Sequence, residues 1–191
     1  FFRHRDQIEQ IVTHALPLRL KQSTTGRLRI LCAGVATGQE VWSLAMRLHE
    51  DVGSPLTGAE IEITGTDVST DCVEHAKRGV YGHYDVQKGL SIHRLMTNFQ
   101  RANSGDWTIS EKLRDSVHFR RHNLLDPAQD LGLYDIIVCT NVLRDMAKPS
   151  QAEVLKNLSR QLLPDAFLFV GPDEQVEGVT DLLKPSRDTR G

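Results

Sequence analysis

The chain has 191 residues, of which 39% are apolar, 6% aromatic and 25% charged, a composition that supports one packed α/β core and excludes a disordered tail, a collagen-like rod or a disulfide-stapled miniprotein. Twenty-three Lys and Arg stand against 25 Asp and Glu, so the formal net charge of −2 supplies no global field for nucleic acid or anionic lipid. No apolar run approaches the roughly 20 residues of a membrane-spanning helix, and FFRHRDQIEQ is not a signal peptide, so a cytoplasmic setting without direct membrane insertion is expected.

Ile8, Ile11, Val12, Ala15 and Leu16 recur at helical spacing and predict an amphipathic helix over 6–20 that Pro17 ends or kinks. With the polar QSTTGR, this makes residues 1–27 a helix and linker ahead of the main domain, 28–191. LRILCA at 28–33 reads as a strand, GVATG at 34–38 as a turn, and QEVWSLAMRLHEDV as a helix burying Val41, Leu44, Ala45 and Leu48. EIEITGT is a second strand ending at Asp67, and STDCVEHAKRG a helix capped by Ser69 or Thr70 and stopped by Gly79. This β-α-β-α order predicts a parallel sheet.

Residues 80–122 break the rhythm, first partly helical and then in short strands around an Asn-Ser-Gly-Asp turn, which predicts a small inserted subdomain. Trp107 is placed at its hairpin, open to a partner, and Arg120-Arg121-His122 on a solvated strand edge. Alternation resumes with DIIVCT at 135–140, a helix over about 150–163 and AFLFVG at 166–171, for at least four parallel strands. Both ends of the chain read as cut, because open α/β sheets often add closing strands.

Cys32 and Cys139 sit in apolar strand-like runs and read as core residues; with Cys72 they suit neither a disulfide framework nor a zinc knuckle. His118 and His122 read as surface residues, so no metal is expected. In a doubly wound sheet the ligand lies beyond the carboxyl ends of the strands, which selects Gly34 to Glu40, Asp67, Asn123 to Asp126 and Asn141 to Asp145. Gly34 and Gly38 let the backbone approach a bound group, and Asp67 is placed to accept hydrogen bonds from a ribose diol. GVATG lacks the G-x-G-x-x-G and P-loop patterns, which argues against a dinucleotide enzyme, and Glu40 would repel a phosphate yet pair with an ammonium group. A ligand with a ribose and an amino-acid end but no phosphate is S-adenosylmethionine. Taken alone, G-x-x-x-G also describes an ordinary tight turn.

The segments LRILCAGVATGQEVWSLAM, ITGTDVSTDCVEHAKRGVYG, VHFRRHNLLDP, LGLYDIIVCTNVL and QLLPDAFLFVG, preceded by Phe1-Phe2-Arg3, together resemble the CheR family of chemotaxis receptor methyltransferases over roughly residues 1–174. The resemblance implies a Rossmann-like class I S-adenosylmethionine-dependent methyltransferase domain with a small inserted β-subdomain, which esterifies glutamate side chains of chemoreceptors or related signalling proteins and releases S-adenosylhomocysteine. It assigns Arg3 to the junction of cofactor and substrate. Glu40 would hold the cofactor's amino group, with Gly34 in the same loop; Asp67 would hold the ribose, Asn123 and Leu124 the adenine side, and Thr140 and Asn141 the methionine end. It also implies a helical domain ahead of the FFR signature, absent from this sequence, and a β-subdomain that in some members grips a tethering peptide.

Three departures stand out. The family's G-E-E-P-Y-S reads Gly38-Gln39-Glu40-Val41-Trp42-Ser43, keeping one acid. Its R-N-V-L-I-Y-F reads Thr140-Asn141-Val142-Leu143-Arg144-Asp145-Met146, losing an arginine and replacing a site tyrosine by Asp145, whose charge opposes an incoming carboxylate unless Arg144 or Arg3 neutralises it. Its G-H-S-E reads Gly171-Pro172-Asp173-Glu174, an expected loss of a polar contact. A divergent domain that binds the cofactor or its product in a regulatory or interaction role, or that methylates another substrate, is the alternative.

Overall fold

The computed structural model describes residues 1–50, 55–127, 130–174, 176 and 178–186. The chain opens with α1 (Arg5–Gln10), a π-helical segment (Ile11–Ala15) and α2 (Leu16–Gln22), one continuous helical run. Pro17 therefore does not end the helix as its type suggested. Its ring would press on the preceding turn of an α-helix, and the wider π turn, in which Leu16 N–H donates to the Ile11 carbonyl five residues back, relieves that crowding. Ile8, Ile11, Val12, Ala15 and Leu16 are all buried, as the spacing predicts.

The main sheet is five-stranded and wholly parallel. It contains β1 (Arg27–Ala33), β2 (Glu60–Asp67), β6 (Val117–Arg121), β7 (Tyr134–Cys139) and β8 (Leu162–Val170), in the order β6-β2-β1-β7-β8. Its strands alternate between two layers. Leu28, Ile30, Cys32, Ile136 and Val138 face the helical run together with α3 (Gln39–His49) and α4 (Thr70–Arg78), whereas Leu31, Ala33, Ile137 and Cys139 face α8 (Lys148–Ser159). α4 is capped as expected, by Ser69, whose Oγ accepts from Cys72 N at 3.3 Å, and it stops at left-handed Gly79. α8 ends four residues earlier than the spacing predicts, because Leu162 and Leu163 belong to β8 and pair toward β7.

Between α4 and β6 lies the insertion: β3 (Val80–Tyr81), α5 (His83–Gln87), α6 (Ile92–Asn98), β4 (Phe99–Arg101), β5 (Trp107–Ile109) and α7 (Glu111–Arg114). Its strands form an antiparallel sheet ordered β3-β5-β4. Residues 117–121, read in sequence as the last strand of the segment 80–122, instead pair with β2 in parallel as the edge of the main sheet. The alternation that suggested a small antiparallel strand is that of a half-buried edge, with Val117 and Phe119 inward and His118 and Arg120 outward. Trp107 is not open to a partner: it is 8% exposed and packs in the core, with the Arg101 guanidinium 5.8 Å from its ring centre.

Candidate functional site

The strand order reverses direction between β1 and β7, since β2 and β6 lie on one side of β1, and β7 and β8 on the other. The crevice of a doubly wound sheet opens at the carboxyl ends beside such a switch. Gly34, Asp67, Thr140 and Gly171 follow or end the four strands around it, and His122 and Asn123 follow β6.

The loop after β1 is shaped by its neighbours. Gly34 N and Val35 N donate to Thr66 O at 2.8 and 3.0 Å, carrying the β1–β2 ladder into the turn. Gly34 has φ +73°, and a Cβ there would collide with Val142 Cγ2 in the loop after β7. Ala36 adopts φ +47°, an uncommon conformation for a side-chain-bearing residue, and its N–H donates to Asp67 Oδ2 at 2.8 Å. Asp67 Oδ1 accepts from Ser69 N at 2.9 Å, so this carboxylate fixes the turns after both β1 and β2. That bracing role was not read from the sequence.

Glu40 lies in the first turn of α3, half-buried, and its Oε2 accepts a 2.6 Å hydrogen bond from Thr140 Oγ1. The two residues are 100 apart in the chain, and their bond spans the switch point. Burial, then the nearby Glu174 and Glu40 carboxylates, pushes the Cys139 thiol up to about 12, so it is a neutral core residue.

Asn141 is left-handed at φ +59°; its backbone N–H donates to Glu174 Oε2 at 2.9 Å, and its side-chain Nδ2 lies 3.1 Å from His4 Nε2. His4 directly follows Arg3. Arg3 is exposed and lines, with Phe2, His4, Val170 and Pro172, a groove of about 510 Å³ at the carboxyl end of β8. The segment is anchored by its aromatics. Phe2 N donates to Ser43 Oγ on α3 at 2.8 Å, its ring lies under the Arg94 guanidinium at 3.8 Å, and Phe1 meets Tyr81 and Phe99 edge-on at 5.0 and 5.6 Å.

Asn123 turns the chain after β6, its Oδ1 accepting from Leu125 N at 3.2 Å, while Leu124 is buried toward α8 with its carbonyl accepting from Asn157 Nδ2 at 3.0 Å. His122, whose N–H donates to Asp67 O at 2.9 Å, is depressed below its ordinary pKa by burial, with Asp126 opposing that shift and Arg120 reinforcing it. Asp145 is 80% exposed, and its carboxylate lies 3.7 Å from the Arg144 guanidinium. The departure from the family's G-H-S-E falls at Pro172 and Asp173, whereas the glutamate that the sequence retains, Glu174, makes contacts not read from the sequence. Glu174 is buried and accepts from the backbone N–H groups of Asn141, Leu143, Arg144 and Gly171. The sequence signal was present, an acid shortly after a strand-ending glycine, but three of its four partners lie about thirty residues away.

The donor set suits S-adenosylmethionine. Glu40 and Asp67 are carboxylates on opposite sides of the Gly34 turn, each oxygen able to accept more than one hydrogen bond, so a cationic amine and a ribose diol can be taken without displacing Thr140, Ala36 or Ser69. A dinucleotide pyrophosphate has no such match beside Glu40. Among the described residues no helix is long and apolar enough to cross a membrane, and no group of three or more His, Cys, Asp or Glu is arranged to hold a metal ion.

Comparison with known proteins agrees with this chemistry. The sequence profile described as CheR methyltransferase, SAM binding domain matches residues 1–191. The chain is 31% identical over 185 residues to chemotaxis protein methyltransferase Cher2 of Pseudomonas putida, covering 95% of this chain and 66% of that protein. It is 32% identical over 183 residues to chemotaxis protein methyltransferase 1 of Pseudomonas aeruginosa, covering 95% of this chain and 67% of the relative. It is also 36% identical over 177 residues to the probable biofilm formation methyltransferase WspC of the same organism, covering 91% of this chain and 40% of the relative. The chain thus spans two thirds or less of the length of these proteins. With a parallel sheet, a carboxylate pair at its switch point and a match over its whole length, the chain belongs to the CheR methyltransferase family, as its S-adenosylmethionine-binding domain.

Proposed function

We propose that this chain transfers the methyl group of S-adenosylmethionine to glutamate side chains of a chemoreceptor or related signalling protein, forming γ-methyl esters. The observation that carries this reading is the Glu40–Thr140 bond across the switch point, with Asp67 bracing the turn beside it. Glu40 and Thr140 receive the amino end of the cofactor, Gly34 lets the backbone approach it, Asp67 receives the ribose, Asn123 and Leu124 border the adenine, and Asn141 borders the methionine. When bound, the cofactor supplies an activated methyl group on a sulfonium.

A glutamate, with an ordinary pKa of about 4.3, is ionised at neutral pH, so the attacking oxygen needs no general base. The chain's task is alignment and exclusion of water, and proximity of this kind supplies several kcal/mol. Arg3, exposed on the groove, holds one carboxylate oxygen and leaves the other to attack; holding both tightly would favour the ground state over the transition state. The exposed Asp145 is partnered by Arg144, which lessens its repulsion of an incoming acid.

The test is calorimetric titration of S-adenosylhomocysteine into the wild type, Glu40→Ala and Asp67→Ala, with a nicotinamide dinucleotide as control. Binding by the wild type and at least tenfold weaker binding by both variants is expected. Labelled methyl transfer to receptor signalling fragments follows, with release of the label as methanol in mild base identifying the ester. Binding without transfer overturns the enzymatic reading and leaves a regulatory cofactor-binding domain. No binding overturns both.

A further inference from the structure

Glu174 is 8% exposed, four residues beyond the end of β8, and its charge is met by amide dipoles. Oε2 accepts from Asn141 N at 2.9 Å and Gly171 N at 2.7 Å; Oε1 accepts from Leu143 N at 2.6 Å and Arg144 N at 3.1 Å. One side chain thereby joins the loops after the two adjacent strands β7 and β8. Two features show how closely the loops are drawn together. Asn141 is held left-handed, which few side-chain-bearing residues adopt, and a Cβ on Gly171 would lie 2.7 Å from Glu174 Oε2 and 3.4 Å from Asn141 N.

The groove containing Arg3 hangs on these loops. Asn141 Nδ2 meets His4 Nε2 at 3.1 Å, one residue from Arg3, and Val170 and Pro172, which flank Gly171, line the groove beside Arg3. The geometry points to Glu174 as a positioning residue for methyl transfer: its carboxylate sets the Asn141 turn and the β8 wall, and through His4 the placement of Arg3 at the substrate. This rests on the transfer reaction proposed above. Glu40 and Asp67, which receive the amino end and the ribose in that reading, make none of these four bonds, and Asn141, which borders the methionine, is held through its backbone N–H, so the clamp acts mainly on the reacting end and only secondarily on cofactor affinity.

The test compares wild type, Glu174→Gln and Gly171→Ala. The glutamine amide turns one oxygen into a donor facing two N–H groups, so either Asn141 and Gly171 or Leu143 and Arg144 lose their acceptor. The alanine keeps the carboxylate and intrudes on it. In both variants kcat for transfer to a receptor fragment is expected to fall at least tenfold and KM for the fragment to rise with the displacement of Arg3, while the Kd of S-adenosylhomocysteine, set chiefly by Glu40 and Asp67, rises no more than threefold. A merely structural role would instead lower cofactor affinity and Tm together and leave kcat of the folded fraction intact, which overturns the proposal. So does a kcat within threefold of wild type in Gly171→Ala, the variant that carries the test should Glu174→Gln fail to fold. A wild type that binds S-adenosylhomocysteine but transfers to no fragment defeats the proposed reaction, and this role with it, an outcome distinct from an active wild type with active variants.

Discussion

Asp67 shows how one side chain can brace two loops at once, at the position where the proposed function puts the ribose. Its two oxygens hold Ala36 N and Ser69 N, and in doing so keep Ala36 left-handed and the Gly34 turn open beside them. Gly34 is the position where this economy is most exposed to change. Its φ of +73° costs an L-residue roughly 1–2 kcal/mol, and the collision with Val142 adds overpacking of about 1–3 kcal/mol. Gly34→Ala is therefore expected to lose about 2 to 5 kcal/mol of stability in urea unfolding and to weaken S-adenosylhomocysteine binding at least tenfold. A wild-type midpoint would mean that Val142 moves aside at no cost. The residue types here, two acids and a glycine just after strands, were legible because they follow local strand endings. Their roles as braces were not, since the partner amides come from other loops.

Among the elements, the helical run before β1 is tied down by a buried charge pair. Arg19 Nη2 and Asp135 Oδ1 are 3.0 Å apart with both side chains under a tenth exposed; Arg19 also donates to Pro164 O at 2.9 Å, and Asp135 Oδ2 accepts from Arg29 N at 2.9 Å. One ion pair thus joins α2 to β1, β7 and β8. Removing one partner strands the other without its counter-charge, so Arg19→Ala is expected to cost about 3–5 kcal/mol. The Arg19→Ala/Asp135→Ala double variant should lose less than the sum of the single losses in a urea cycle, and strict additivity would show that the pair is not coupled. The apolar stripe of this helix was readable from its period. The π turn that carries it past Pro17 was not, because a proline's ring clash is met equally by a helix end, a kink or a widened turn, and the residue type does not say which.

For the molecule as a whole, the burial pattern sorts the three cysteines. Cys32 and Cys139 are core residues on opposite faces of the sheet, both with thiols raised by burial, and Cys72 lies half-buried on α4. An aromatic disulfide reagent at mildly alkaline pH is expected to modify one thiol rapidly in the folded protein and all three in denaturant. Rapid modification of a second thiol in the native state would mean that the sheet layers open far more readily than their packing implies.

The sequence by itself determined the alternation of strands and helices, the capping of α4, the core positions of α1 and α3, and the acids at the strand ends, because periodicity, caps and side-chain chemistry are local properties of the chain. Only the tertiary structure decided that residues 117–121 join the main sheet, that Trp107 is buried, and that His4, next to Arg3 in the chain, comes to rest beside Asn141, 137 residues away. It alone decided that Glu174 accepts hydrogen bonds from four backbone N–H groups of the loops after β7 and β8. These arrangements are set by pairing between distant segments, where a strand's own alternation fits either sheet and an acid's own type names no partner.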